Sequence, residues 1–339
     1  MTTPPKNAVA PTPVYLDCDT GIDDALALGY LLDTERRGTA ELVGTGTVHG
    51  NIDAPGAAEN TLRLLALAGR PGVPVAVGAT DPLIGDFAGG AVLVHGRDGI
   101  GGIRDTLPAA PEVPLPDEDA ADLLLRLSHE HEGRLQILAI GPLTNLALAL
   151  QRDPSVIRRV AGVTVMGGAA LVPGNMGPVV EANIGNDPEA AAEVVAASWP
   201  VTLVPLDVTM DHTVGDADRD RLLAAPSAFT RALGAMLDVY LGFYDEVVFG
   251  RRTAALHDPL AAAIALGELG LRDAPVVDVE VDATAGPGRG QTICDLRSQR
   301  RVPGDVEGAT TRVVRSVDRD FAPLLMERLT SAAAAPRRH

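Results

Sequence analysis

The chain has 339 residues, of which 46% are hydrophobic and only 3% aromatic, and its formal net charge is -17. That length suits one large α/β domain or two ordinary ones, and the charge excludes DNA, RNA and anionic membranes as partners, because affinity for polyanions comes largely from Lys and Arg. Lysine occurs once, at Lys6 in a Pro-rich leader, so a P-loop, Schiff-base or phosphatase lysine has no place in the body of the fold.

In chain order, apolar runs alternate with amphipathic stretches, the pattern of βα units around a mainly parallel sheet. Strands are expected over 13–17, 41–48, 73–77, 134–140, 160–166 and 201–208, and helices over 23–33, 57–68, 142–150 and 187–198. The Gly- and Pro-rich segment 81–117 reads as a long surface excursion. Beyond 227 come a long helix, a helix over 257–269, and strand-like stretches over 275–283, 291–297 and 311–317. The expectation is a single open-sheet α/β domain over 13–330, with a flexible leader at 1–12 and a flexible tail at 331–339. The leader lacks the apolar core of a signal peptide, no segment reaches a membrane-spanning length, and Cys18 and Cys294 form no CxxC or disulfide framework, which points to a soluble cytoplasmic protein.

Ligands of an open parallel sheet sit beyond the carboxyl ends of its strands. There the first strand runs into Asp17 and Asp19, the second into 49-HGN-51, the fourth into 141-GPLTN-145 and the fifth into 166-MGG-168. Four aspartates, Asp17, Asp19, Asp23 and Asp24, crowd eight positions. Asp23 and Asp24 open a helix, where dipole and capping favour carboxylates. Asp17 and Asp19 end a strand, where capping gives no reason for them. Such a cluster needs raised pKa values or a cation, and all-oxygen donors suit Ca2+ or Mg2+. An EF-hand is excluded, because Ile22 and Leu28 stand where its Gly and Glu belong. A haloacid-dehalogenase-like Mg2+ phosphatase also begins with a strand ending in DxD, but it needs a later lysine. His257-Asp258-Pro259 reads by itself as a helix start with Asp as N-cap, 187-DPEAA-191 as structural, and Trp199 as packing.

Taken together, 17-DCDTGIDD-24, 49-HGN-51, 95-HG-96, 141-GPLTNLAL-148, 166-MGG-168, 174-GN-175, 181-EAN-183 and 257-HDP-259 resemble the motifs of the nucleoside hydrolase family, the inosine-uridine type, in the family's order. The resemblance implies Ca2+ held by Asp19, Asp24, Asp258 and the backbone carbonyl of Thr144, with Asp19 also the base that activates water. It implies that Asp23, Asn51, Asn175, Glu181 and Asn183 hold the ribose, with Met166 beneath it. It makes His257 the candidate acid for the leaving base and His95 a second pocket histidine. Cleaving an N-glycosidic bond builds positive charge on the sugar, which a carboxylate-rich pocket stabilises. A homodimer or homotetramer is implied in the same way. Thr20 stands where the family usually has Pro, and Ala182 where it usually has an aromatic. Tyr240, Phe243 and Tyr244 are candidates for the base side. The implied function is hydrolysis of ribonucleosides, of inosine-uridine-like or broad specificity. A non-catalytic nucleoside- or ribose-binding module is the other alternative, and retention of Asp19, Asp24, His257 and Asp258 argues against it.

Overall fold

A computed structural model of the chain describes residues 10–110, 117–300 and 303–331. The expectations for the flexible leader and tail fall mostly on 1–9 and 332–339, outside the described residues.

The centre is an eight-stranded sheet. Its strands are β1 (Thr12–Cys18), β2 (Ala40–Thr47), β3 (Val75–Val77), β4 (Leu135–Ala139), β5 (Val160–Met166), β6 (Val201–Val204), β7 (Val276–Val277) and β8 (Thr311–Val313). The spatial order is β7-β8-β6-β5-β4-β1-β2-β3. Every pair is parallel except β7 with β8. The chain winds from β1 through β2 to β3 on one side and returns through β4 to β6 on the other. The switch point is therefore β1 beside β4, where Asp17 pairs in register with Ala139, and ligands bind outside the strand ends at such a point.

Alternation along β1 sorts the two faces. Val14, Leu16 and Cys18 enter one apolar core, and Tyr15 enters the other. The first core takes α1 (Ile22–Arg36), α2 (Ala54–Leu67), α6 (Ala228–Phe243), α7 (His257–Ala265) and α8 (Ala322–Thr330). The second takes α3 (Ala120–Glu130), α4 (Thr144–Arg152) and α5 (Pro188–Ala196). Helix α1 is buried from Ile22 to Thr34 and packs against α6, α7 and α8. Although buried over this span, it carries two acids, Asp23 and Asp24, in its first turn.

The predicted elements occur with shifted ends, and three readings are corrected. The strand expected over 201–208 stops at Val204, because Pro205 cannot donate to the ladder and instead precedes a short helix, Leu206–Thr209. The helix expected to reach 269 ends at Ala265. Asp258 is not a helix N-cap: α7 begins at His257 with Leu256 as cap and no capping side chain, which leaves that carboxylate free for other partners. The excursion from residue 81 is mostly turns around a short helix, Val92–His95, that presents His95. Trp199 is fully buried and donates to Val194 O, a packing residue as expected. Among the described residues no helix is long and apolar enough to cross a membrane.

Candidate active site

The loop from β1 to α1 sets the site. Asp19 follows β1 directly and is 1% exposed. Its Oδ2 accepts the Asn51 backbone N–H at 2.7 Å and its Oδ1 accepts Asn51 Nδ2 at 3.1 Å. The same Asn51 amide reaches Asp24 Oδ2 at 3.2 Å, so the loop after β2 holds both acids. Asp24 Oδ2 also accepts the Gly21 N–H at 2.7 Å, a helix-capping bond. Gly21 is required there, because a Cβ would stand 2.6 Å from Asn51 Nδ2 and 2.7 Å from His95 Nδ1.

Asp23, Asp24 and Asp258 each offer an oxygen within 4.8 Å of the others. Asp23 Oδ1 and Asp24 Oδ1 are buried and have no hydrogen-bond partner. Buried acceptors without partners are costly, and three carboxylates with two such oxygens form a site that fits a hard divalent cation. Burial, then the charges of Asp23, Asp24, Asp19 and Glu181, push Asp258 well above the usual carboxylate range. Burial and then Asp24 push Asp19 up in the same way. Asp24 is pushed up to about 7 by burial and then by Asp23.

Of the four ligands implied by the resemblance, the structure thus groups Asp24 and Asp258 with Asp23. It puts Asp19 beside Asp24, bridged to it by the Asn51 amide but outside the three-acid group, and puts Thr144 at the first turn of α4. The Thr144 hydroxyl lies 2.7 Å from Asp187 Oδ2 and 3.2 Å from His49 Nε2. Asp17 lies elsewhere. By strand alternation it shares Tyr15's face, where it accepts Tyr15 OH at 2.9 Å and Asn145 Nδ2 at 3.1 Å. Burial lifts it to about 7 against those two bonds. Asn145 also donates to Thr47 O and accepts from Ala79 N, joining the ends of three strands.

The remaining predicted residues ring the acids. Glu181 is 2% exposed and accepts three backbone N–H groups, from Gly168, Asn183 and Ile184, at 2.9, 3.0 and 3.2 Å. Burial still raises it to about 7. Asn183 Nδ2 donates to Ile140 O and to Met166 O, tying the ends of β4 and β5. Asn175 is exposed, with its Oδ1 on the Ala182 N–H at 2.9 Å. His95 Nδ1 accepts the Ile22 N–H at 3.0 Å, which leaves the proton of the neutral ring on Nε2. Burial lowers the pKa of His95 and of His257.

His257 is flanked by two hydroxyls, Tyr244 OH at 2.6 Å from Nε2 and Thr209 Oγ1 at 2.7 Å from Nδ1. Tyr240 donates to Asp23 Oδ2 at 2.9 Å, and its ring lies 5.5 Å from that of His95. Tyr240 and Tyr244 pack edge to face at 5.0 Å. Sequence reasoning placed both tyrosines near the base but missed their bonds to Asp23 and His257. Their i,i+4 spacing, from the last turn of α6 to the π-helical turn Tyr244–Phe249 that continues it, was the available signal. Thr209 was missed outright, since nothing local distinguishes it from a turn residue, and Asn145 was placed at the rim within 141-GPLTN-145 but given no role.

Over residues 14–322 the chain matches the family model described as inosine-uridine preferring nucleoside hydrolase. It is 35% identical over 290 residues to uridine nucleosidase 1 of Arabidopsis thaliana, covering 85% of this chain and 83% of that one. It is 34% identical over 326 residues to a pyrimidine-specific ribonucleoside hydrolase of Citrobacter koseri, covering 95% of this chain and 99% of the relative. Among solved structures, a plant nucleoside hydrolase superposes with a TM-score of 0.86 at 32% identity, over 95% of this chain and 100% of that one. A purine-preferring ribonucleoside hydrolase from Gardnerella vaginalis gives 0.84 at 30%, over 95% and 99%. Since the match runs unbroken from β1 through the acidic turn to α8, the chain belongs to the inosine-uridine preferring nucleoside hydrolase family, enzymes that hydrolyse the N-glycosidic bond of nucleosides.

Proposed function

We propose that this enzyme is a Ca2+-dependent ribonucleoside hydrolase that takes uridine and inosine, releasing free base and ribose. The observation that carries the cation dependence is the group Asp23, Asp24 and Asp258 with its two unpartnered buried oxygens. Uridine comes first because two of the relatives are named for uridine or pyrimidine nucleosides. Family membership leaves the phosphatase alternative without support.

Asp24 and Asp258 would hold the cation, with Asp19 and the Thr144 carbonyl completing its protein ligands. When bound, a cation of this kind lowers the pKa of a water molecule and orients it. Asp19 would be the base that accepts the proton of that water. Both its oxygens are fixed by Asn51, so the carboxylate cannot swing away. Asp23, Asn51, Asn175, Glu181 and Asn183 face the ribose hydroxyls, and Met166 lies below the ring. Asp23 and Glu181 also place negative charge where the sugar becomes cationic, which favours the transition state over the ground state. His257, between Tyr244 and Thr209, supplies the proton to the leaving base, a contribution on the order of 10² to 10⁴ in rate. His95 presents its Nε2–H to the nucleoside from beside Tyr240.

The partner is a small nucleoside, met in the cytoplasm by a homodimer or homotetramer, which light scattering on the purified protein would measure. The activity test is base release from uridine, cytidine, inosine and adenosine, before and after chelation and with Ca2+ or Mg2+ restored. Release that is indifferent to chelation would overturn the cation dependence. No release from any of the four would overturn the substrate reading.

A further inference from the structure

We propose that Asn60 on α2 is a positioning residue that registers His95 against the acidic turn 17–24, so that catalysis depends on Asn60 through His95. The inference rests on the reading above in which His95 faces the nucleoside.

Asn60 is 0% exposed and lies outside every motif that carries the chemistry. Its Nδ2 donates to Thr20 O at 3.2 Å and to Asp98 O at 2.9 Å, and its Oδ1 accepts Arg104 Nε at 2.7 Å. Arginine is only a donor, so Arg104 fixes which end of the amide is oxygen. The two amide hydrogens then go to main-chain carbonyls in two different segments of the site. One is the residue after Asp19, and the other lies in the loop after His95.

Each of those segments is rigid by itself. Asp98 folds the His95 loop onto its own carboxylate, which accepts the N–H groups of Ile100, Gly102 and Arg104 at 3.0, 2.8 and 2.9 Å. Gly101 N–H closes the loop back onto His95 O at 2.8 Å. On the other side, Thr61 Oγ1 donates to Ala57 O, so its contact with Thr20 Oγ1 at 2.7 Å uses the Thr20 proton. Thr20 is thereby tied to α2 by its side chain as well as by its carbonyl. Arg104 Nη2 also donates to Asp98 O at 2.8 Å, so several bonds hold the two pieces to α2, and Asn60 is a side chain that bonds the main chain of both and so helps to fix one against the other. The placement sets the Ile22 N–H to His95 Nδ1 bond, and with it the tautomer of His95.

The test is a double-mutant cycle of Asn60→Ala and His95→Ala on base release, with KM and melting temperature measured for all four proteins. A misplacement of about 1 Å can cost on the order of 10²-fold. Asn60→Ala is expected to lower kcat between tenfold and a hundredfold with KM changed less than threefold. In the His95→Ala background it should cost less than twofold more, because residues acting as a unit are not additive. Losses that multiply, or an unchanged kcat, overturn the proposal. If Asn60→Ala does not fold, Asn60→Asp keeps the size and the acceptor for Arg104 but loses the amide donors to Thr20 O and Asp98 O, and enters the same cycle. A readout independent of turnover is the ¹⁵N spectrum of the His95 ring. It should report a single Nε2-protonated tautomer in the wild type and a mixture in Asn60→Ala. An unchanged tautomer overturns the clamp even where nucleoside cleavage is as proposed, and absence of cleavage with a changed tautomer counts against the substrate reading alone.

Discussion

Removing the cation should leave a charge cluster that the fold can tolerate only by binding protons. Oxygens of Asp23, Asp24 and Asp258 lie within 4.8 Å of one another. At that spacing each like-charged pair costs roughly 3 to 4 kcal/mol at an effective dielectric of about 20, and the three pairs cost about 10 kcal/mol together. The start of α1 returns only about 0.3 to 1 kcal/mol per carboxylate. The cation-free cluster therefore holds protons near neutral pH, in line with Asp24 at about 7 and Asp258 raised well above the usual carboxylate range. A cation must displace them, so its affinity rises with pH. One displaced proton of pKa about 7 makes the apparent affinity fall roughly tenfold from pH 8 to pH 6, and a second steepens it. Calorimetry at pH 6, 7 and 8 in two buffers of different ionisation enthalpy reads both the affinity and the protons released. Stability has a definite sign as well. Folded-state carboxylate pKa values lie above the unfolded ones, so the cation-free protein binds more protons folded than unfolded, and loses stability as pH rises from about 4 to about 7. Saturating cation should restore melting temperature most at the upper end of that window. An affinity constant within twofold from pH 6 to 8, with no proton release, would refute the crowding argument.

Asp19→Ala should abolish base release, measured on uridine and inosine, because no other carboxylate has both oxygens fixed by Asn51. His257→Ala should cost on the order of 10² to 10⁴ on nucleosides with poor leaving bases but little on a nitrophenyl riboside, and equal loss on both would remove the acid role. Gly21→Ala drives a methyl to 2.6 Å from Asn51 Nδ2 and 2.7 Å from His95 Nδ1; kcat should fall at least tenfold while the circular dichroism spectrum is kept. Trp199→Ala removes a fully buried ring and its bond to Val194 O, so it should cost about 3 to 5 kcal/mol of stability in urea melts with kcat unchanged well below the melting temperature.

The fold was legible because its strands carry their own signal. β1, β2, β4 and β5 are apolar runs buried on both faces, each followed by polar or glycine-rich residues, and that order is enough to place a site at their carboxyl ends. The helix between β3 and β4 was missed although Ala120, Leu123, Leu124 and Leu127 have helical spacing, because the Gly- and Pro-rich run before it masked its start. Elements beyond 270 broke into short pairs, such as Val279–Val281 with Thr292–Cys294, whose partners are set by tertiary packing and not by local pattern.

At the site the sequence showed which residue types gather but not which pair with which, and Asp17 makes the difference plain. Four aspartates in eight positions look like one cluster. Alternation along β1 and the reversal into α1 separate them, so that Asp17 goes to Tyr15 and Asn145 on one face of the sheet and Asp23 and Asp24 meet Asp258 on the other side. Asp258 reads as an ordinary helix start until the cap is seen to be Leu256. Pairings between residues far apart along the chain, such as Tyr240 with Asp23 and Thr209 with His257, have no local trace even where one partner, Tyr240, was expected near the base. Yet they decide which carboxylate oxygen is left over for a cation, since Tyr240 takes Asp23 Oδ2 and leaves Oδ1 bare. Tyr240 therefore governs how Asp23 divides itself between cation and ribose, and Tyr240→Phe should shift that division by freeing Oδ2: tighter cation binding by calorimetry together with a higher KM for nucleoside. A KM and a cation affinity that both stay unchanged would show that the hydrogen bond plays no part in the division.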